Sequence, residues 1–199
     1  LRGRLTLAKG MLFGGTVVGG LYDLTCDGAS GTLVALSDDR GDYPERGPVR
    51  LYRLRLDLAD GRLDPGDLTL LDVLPVTGPG DRAYPPKEID PEGLALLGGG
   101  FLLSTEGIAQ AGVAPLLARF GPDGRFRQEL PLPERLRPVA GGETRGVRLN
   151  LGLESLAFSP DGRFLFAAVE NALVQDGPAS DVGTISPARI LRFDRTESD

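Results

Sequence analysis

An all-β fold of repeated small antiparallel sheets is what the sequence predicts, on three observations. Gly and Pro together supply 29 and 16 of the 199 residues, a density that suits short strands joined by many tight turns. Apolar runs are short and bounded by turn signals, and no segment shows three turns of amphipathic helix. A strand–turn–strand unit recurs along the chain, which is the mark of a repeat architecture.

The elements follow in order. Leu33 to Leu36 is an apolar run closed by the polar cluster Ser37-Asp38-Asp39-Arg40-Gly41. Arg50 to Leu58 alternates from Leu54 onward, the period of a half-buried strand. Leu94 to Leu97, Gly98 to Gly100 and Phe101 to Leu103 read as strand, tight turn, strand. Leu116 to Phe120 runs into the turn Gly121-Pro122-Asp123-Gly124, and Leu156 to Phe158 runs through Ser159-Pro160-Asp161-Gly162 into Arg163 to Val169. Arg189 to Phe193 is a last strand, while Leu74 to Pro86 and Leu130 to Gly146 read as loops. Taking Leu21, Leu94 and Leu156 as anchors, the units begin 73 and 62 residues apart. Such units bury their faces by stacking around an axis, so the expected fold is a β-propeller or partial propeller. Three units do not close a ring. The expectation is one domain over residues 1–199, truncated at its C-terminus.

Composition removes several functions. The net charge is −6 and the pI about 4.8, which opposes a nucleic-acid partner. With no Trp and 6% aromatics, a stacking platform for bases is poorly supplied. The absence of His excludes Ser-His-Asp hydrolases and imidazole zinc sites. The single Cys26 cannot form an intrachain disulfide, and Thr32 stands where a cysteine phosphatase needs an Arg. No signal peptide is visible, and the uncharged stretch Gly10 to Tyr22 is too short and Gly-rich to span a bilayer.

Acidic residues at strand ends are the best candidates for chemistry. Asp38 and Asp39 follow a strand, Glu106 and Glu170 each follow an outgoing strand, and Glu92 and Glu154 precede strands, with Asp90 and Asn150 nearby. In a propeller such positions face one axial tunnel. Carboxylates meeting there need a compensating cation, and calcium, which takes six to eight oxygen ligands, suits a chain without His. The metal candidates are therefore Asp38, Asp39, Glu92, Glu106, Asn150, Glu154 and Glu170. The catalytic candidates are Glu92 and Glu154 as general bases and Arg40 as a bidentate phosphate clamp. The alternative is that Glu92 and Glu154 bind backbone amides at junctions between units, and that Asp38 and Asp39 are turn residues. Asp123-Gly124, Asp161-Gly162 and Asp176-Gly177 read as turns, and Arg53, Arg119 and Arg192 as outward strand positions.

Six motifs in order carry a family likeness: Gly19-Gly20-Leu21, GTLVALSDDR from Gly31 to Arg40, DPEGLA from Asp90 to Ala95, STEG from Ser104 to Gly107, NLGLESLA from Asn150 to Ala157, and ENALVQDG from Glu170 to Gly177. Together, over about residues 12 to 194, they resemble the phytase-like domain described as esterase-like activity of phytase. The resemblance implies a propeller-like, carboxylate-rich hydrolase of small phosphate esters, usually exported, hence extracellular or periplasmic. A carboxyl-ester or lactone hydrolase and a non-catalytic binding scaffold are the alternatives. Tyr22-Asp23-Leu24 departs from the likeness, standing where a more Gly-rich strand start is expected.

Overall fold

The computed structural model describes residues 3–40, 43, 46–140 and 144–195. The residue Gly41 of the first polar cluster and the terminal residues 196–199 lie outside it. The described chain is all-β. Its strands are β1 (Leu12–Phe13), β2 (Thr16–Val17), β3 (Leu21–Asp27), β4 (Thr32–Ser37), β5 (Arg50–Leu56), β6 (Leu68–Pro75), β7 (Pro91–Leu97), β8 (Gly100–Thr105), β9 (Leu117–Phe120), β10 (Phe126–Glu129), β11 (Leu153–Phe158), β12 (Phe164–Val169) and β13 (Ile190–Asp194). Among the described residues there is no α-helix, only short 3-10 turns such as Glu134–Leu136.

The strands form one two-stranded ribbon, β1-β2, and three larger sheets. The first is β3-β4-β5-β6, the second β7-β8-β9-β10 and the third β11-β12-β13, each antiparallel and in chain order. This is the arrangement of a partial propeller. Strands β6 and β10 carry no clear signal in the sequence: Leu68–Pro75 takes in the start of the expected loop at Leu74, and Phe126–Glu129 carries one apolar residue in four.

Burial follows from stacking. One apolar cluster joins the first sheet to the second through Leu36, Leu51, Leu94, Leu103 and Phe120. Another joins the second to the third through Ala95, Leu102, Leu117, Leu153 and Ala167. The second sheet is thus covered on both faces. That is why Leu94 to Leu97 and Phe101 to Leu103 read as continuous apolar runs rather than alternating ones, since neighbouring residues point into different cores. A third cluster packs Leu7, Met11 and Phe13 of the N-terminal segment on Ala35, Tyr52 and Leu54 of the first sheet.

A buried cation fastens that segment. Arg50 on β5 is 1% exposed. Its Nε donates to the Tyr52 hydroxyl at 2.6 Å, Nη2 to the Val17 carbonyl at 2.8 Å and Nη1 to the Pro48 carbonyl at 2.8 Å. The Tyr52 hydroxyl itself meets the Val17 carbonyl and the Thr16 hydroxyl. Removing a buried, fully bonded charge strands its partners. Arg50→Met is expected to lower the unfolding free energy by about 3 kcal/mol in urea denaturation. Arg53→Met, which removes an exposed pair with Asp72, is expected to cost less than about 1 kcal/mol.

Candidate metal and hydrolytic site

The three larger sheets build one construction three times. In each, the first strand is bulged near its start against the second: the register slips between Leu21 and Leu24, between Pro91 and Gly93, and between Leu153 and Ser155. A bulge leaves its extra residue out of the ladder and re-aims the side chain. The residues so freed include Tyr22, Glu92 and Glu154. Opposite each bulge the second strand ends and the chain turns inward. Asp38, Glu106 and Glu170 stand there, their amides donating to the carbonyls of Gly20 at 2.8 Å, Asp90 at 3.2 Å and Gly152 at 2.9 Å.

The register also corrects the sequence alignment. Leu21 pairs with Ser37 as Pro91 pairs with Thr105 and Leu153 with Val169. The counterpart of Leu94 and Leu156 is therefore Leu24, three residues beyond the anchor taken from sequence. On the corrected alignment Tyr22 corresponds to Glu92 and Glu154.

Two glycines shape the site, one between sheets and one within the first sheet. A Cβ at Gly152 would collide with the backbone of Glu106, so the third sheet can approach the second only with no side chain there. Gly20, at φ +59°, lies against the Asp38 carboxylate in a conformation that other residues rarely adopt. Asp23 then ties the first sheet to the second, its Oδ2 accepting the Leu94 amide at 2.7 Å.

The result is a polar cavity of about 350 Å³ lined by Tyr22, Asp38, Arg40, Asp90, Glu92, Glu106, Asn150, Glu154 and Glu170. Of the residues singled out from sequence, Asp38, Arg40, Glu92, Glu106, Asn150, Glu154 and Glu170 all line it. Asp39 does not. It lines a neighbouring cavity, where its carboxylate faces Arg50 Nη1 at 3.5 Å, because successive residues of an extended chain point opposite ways. Two lining residues were not chosen from sequence as site residues. In the sequence Asp90 stands out only as a neighbour of Glu92, and Tyr22 only as a departure from the family pattern. Aligning on Leu24 would have singled out Tyr22.

The deepest part is acidic. Asp90, Glu92 and Glu106 are 7%, 7% and 3% exposed, and their ligand oxygens lie within 4.8 Å of one another. Glu92 Oε2 is buried without a hydrogen-bond partner. Asp90 also takes a 2.8 Å bond from Arg40 Nη1. Also lining the cavity, the Tyr22 hydroxyl donates to Glu154 Oε2 at 2.6 Å.

Crowding perturbs the acids. Burial, then the charges of Glu154, Asp90 and Glu106, pushes Glu92 up to about 9. Burial, then the charges of Glu154 and Asp90, pushes Glu106 up to about 7, against the pull of its hydrogen bond with Glu92. Burial also raises Glu154, opposed by the Tyr22 hydrogen bond and reinforced by Glu170. Asp38 is raised by burial and by Asp39.

A divalent cation fits these residues. Every donor is a hard oxygen, and two oxygens each about 2.4 Å from one calcium ion can be up to about 4.8 Å apart. The orphaned Glu92 oxygen is the group such an ion would satisfy. Asp90, Glu92 and Glu106 could therefore hold a metal ion.

The shifts set a pH dependence for the metal-free protein. Glu92 and Glu106 bind protons more tightly folded than unfolded, so stability present near pH 4.5 is lost as pH rises through about 7 and 9. The slope is about 1.4 kcal/mol per pH unit for each extra proton held. Glu88, held low by its Arg82 hydrogen bond, acts below that window and in the opposite sense. With chelator present, the urea midpoint is expected to fall between pH 5 and 8.5, and Glu92→Gln to flatten that fall.

The sequence over residues 16–199 matches the family Phytase-like, described as esterase-like activity of phytase. No curated protein and no solved structure matches the chain. The family match takes in every residue that lines the acidic cavity and nearly all the described strands, and the chain belongs to the Phytase-like family.

Proposed function

We propose that the protein is a calcium-assisted hydrolase of phosphate esters, with Asp90, Glu92 and Glu106 holding the ion and Glu154 acting as general base. The family implies hydrolysis of a small-molecule ester. The observation that carries the reading is the buried trio of carboxylates with ligand oxygens within 4.8 Å and one oxygen left unpartnered. A bound calcium would polarise the phosphoryl oxygen and acidify an attacking water.

The chain's own residues do the rest. Glu92 and Glu106 would give up their protons to a bound cation, whose charge would offset the repulsion that their ionisation adds. Glu154, bonded to Tyr22, accepts the proton of the attacking water. Arg40, anchored on Asp90, presents guanidinium charge at the cavity wall to steady an anionic ester. Asn150 and Glu170 complete the oxygen-rich rim. We further propose that it works outside the cytoplasm, where calcium is plentiful.

A second reading is favoured by charge. Among the described residues six carboxyl groups and one Arg line the cavity, so a carboxylic ester or lactone meets less repulsion than a phosphate. One panel separates the readings: phosphomonoester, phosphodiester, phytate and carboxyl-ester substrates, with calcium and with chelator. Calcium-dependent turnover of a phosphate ester is expected, with Glu154→Gln lowering kcat roughly 10²- to 10⁴-fold. Turnover unchanged by chelator would remove the metal from the mechanism. A calcium-dependent rise in Tm without turnover of any ester would mark a binding scaffold.

A further inference from the structure

Tyr22 stands on β3 at the bulge position that Glu92 holds on β7 and Glu154 holds on β11. In the first sheet a neutral hydrogen-bond donor therefore replaces a carboxylate. The side chain does not serve the core: it is 54% exposed, unlike Tyr52, which is fully buried with its hydroxyl on backbone and Thr16. Its hydroxyl instead crosses the cavity and donates to Glu154 Oε2 at 2.6 Å, joining residues 132 apart in sequence. The carboxylates of the deep cluster find different neighbours, Arg40 for Asp90 and each other for Glu92 and Glu106.

We propose that Tyr22 is the positioning residue of the hydrolytic site, its hydroxyl fixing the Glu154 carboxylate across the cavity so that the second oxygen is held toward the reacting water. This rests on the reading of Glu154 as general base. A hydroxyl bound to a carboxylate restrains it without neutralising it, whereas a Glu at position 22 would have added a further like charge. The hydrogen bond to Glu154 also raises the Tyr22 pKa, so the donor stays protonated at any working pH.

The test compares wild type, Tyr22→Phe, Glu154→Gln and the double variant of the full chain. It uses p-nitrophenyl phosphate and p-nitrophenyl acetate for kinetics and calcium titration by calorimetry. Tyr22→Phe is expected to lower kcat roughly 10- to 100-fold at nearly constant KM, since a displaced catalytic group costs that much. Its calcium Kd is expected to stay within about twofold, because the ion is assigned to other carboxylates, and Tyr22→Phe is expected to cost nothing further in the Glu154→Gln background. Wild-type kcat in Tyr22→Phe, losses that multiply in the double variant, or a calcium Kd weakened in step with kcat would each overturn the proposal. So would a lowered Tm with unchanged kcat, which is the signature of a structural strut between sheets. Failure of the underlying reading looks different: Glu154→Gln would then turn over like wild type, or wild type would hydrolyse neither ester.

Discussion

Mutual repulsion among buried acids is the constraint on which this molecule is organised. Six carboxyl groups from three sheets line one cavity of about 350 Å³, and three of them are almost wholly withdrawn from water. Such a cluster persists only with protons, cations or hydrogen-bond donors among its members. Among the described residues the cavity lining supplies one Arg and one Tyr, and the remaining imbalance falls on Glu92 and Glu106. The stability of the sheet stack has to carry that cost. The apolar clusters on both faces of the second sheet are what hold the acids together.

The scaffold converges the acids by local means. Each inner strand carries its bulge where the cavity begins, so a side chain that would point into a core is aimed at the axis instead. Gly152 lets the third sheet come down on the backbone of Glu106. Asp23, next to Tyr22, binds the Leu94 amide and sets the first sheet against the second. Fold and site are thus not separable layers, because the contacts that stack the sheets are the contacts that place the acids.

Much of this was legible in the sequence. The turn signals at Asp123-Gly124 and Asp161-Gly162 act as turns in the structure, each Asp accepting a backbone amide two residues on. The acids at strand ends could be picked out because a strand-to-turn boundary is visible as an apolar run meeting a charge. What was not legible depended on register. Leu21 is the natural anchor by eye because Gly20-Leu21 looks like Gly93-Leu94; the ladder puts Leu24 in that place, since Leu21 pairs with Ser37 as Pro91 pairs with Thr105. Side-chain direction at adjacent positions was equally hidden, and Asp39 turns to Arg50 while Asp38 faces the cavity. Strands β6 and β10 escaped notice because they lie at the outer edges of their sheets, where no residue is fully buried and the apolar signal thins.

The bulges have an evolutionary corollary. A residue excluded from the hydrogen-bonded ladder can be exchanged with little disturbance to its neighbours, so the charge and proton-donating character of the central chamber are adjustable one sheet at a time. Tyr22, Glu92 and Glu154 read as three settings of the same dial. A lineage that altered only these positions would retune the charge of the chamber while inheriting the architecture intact.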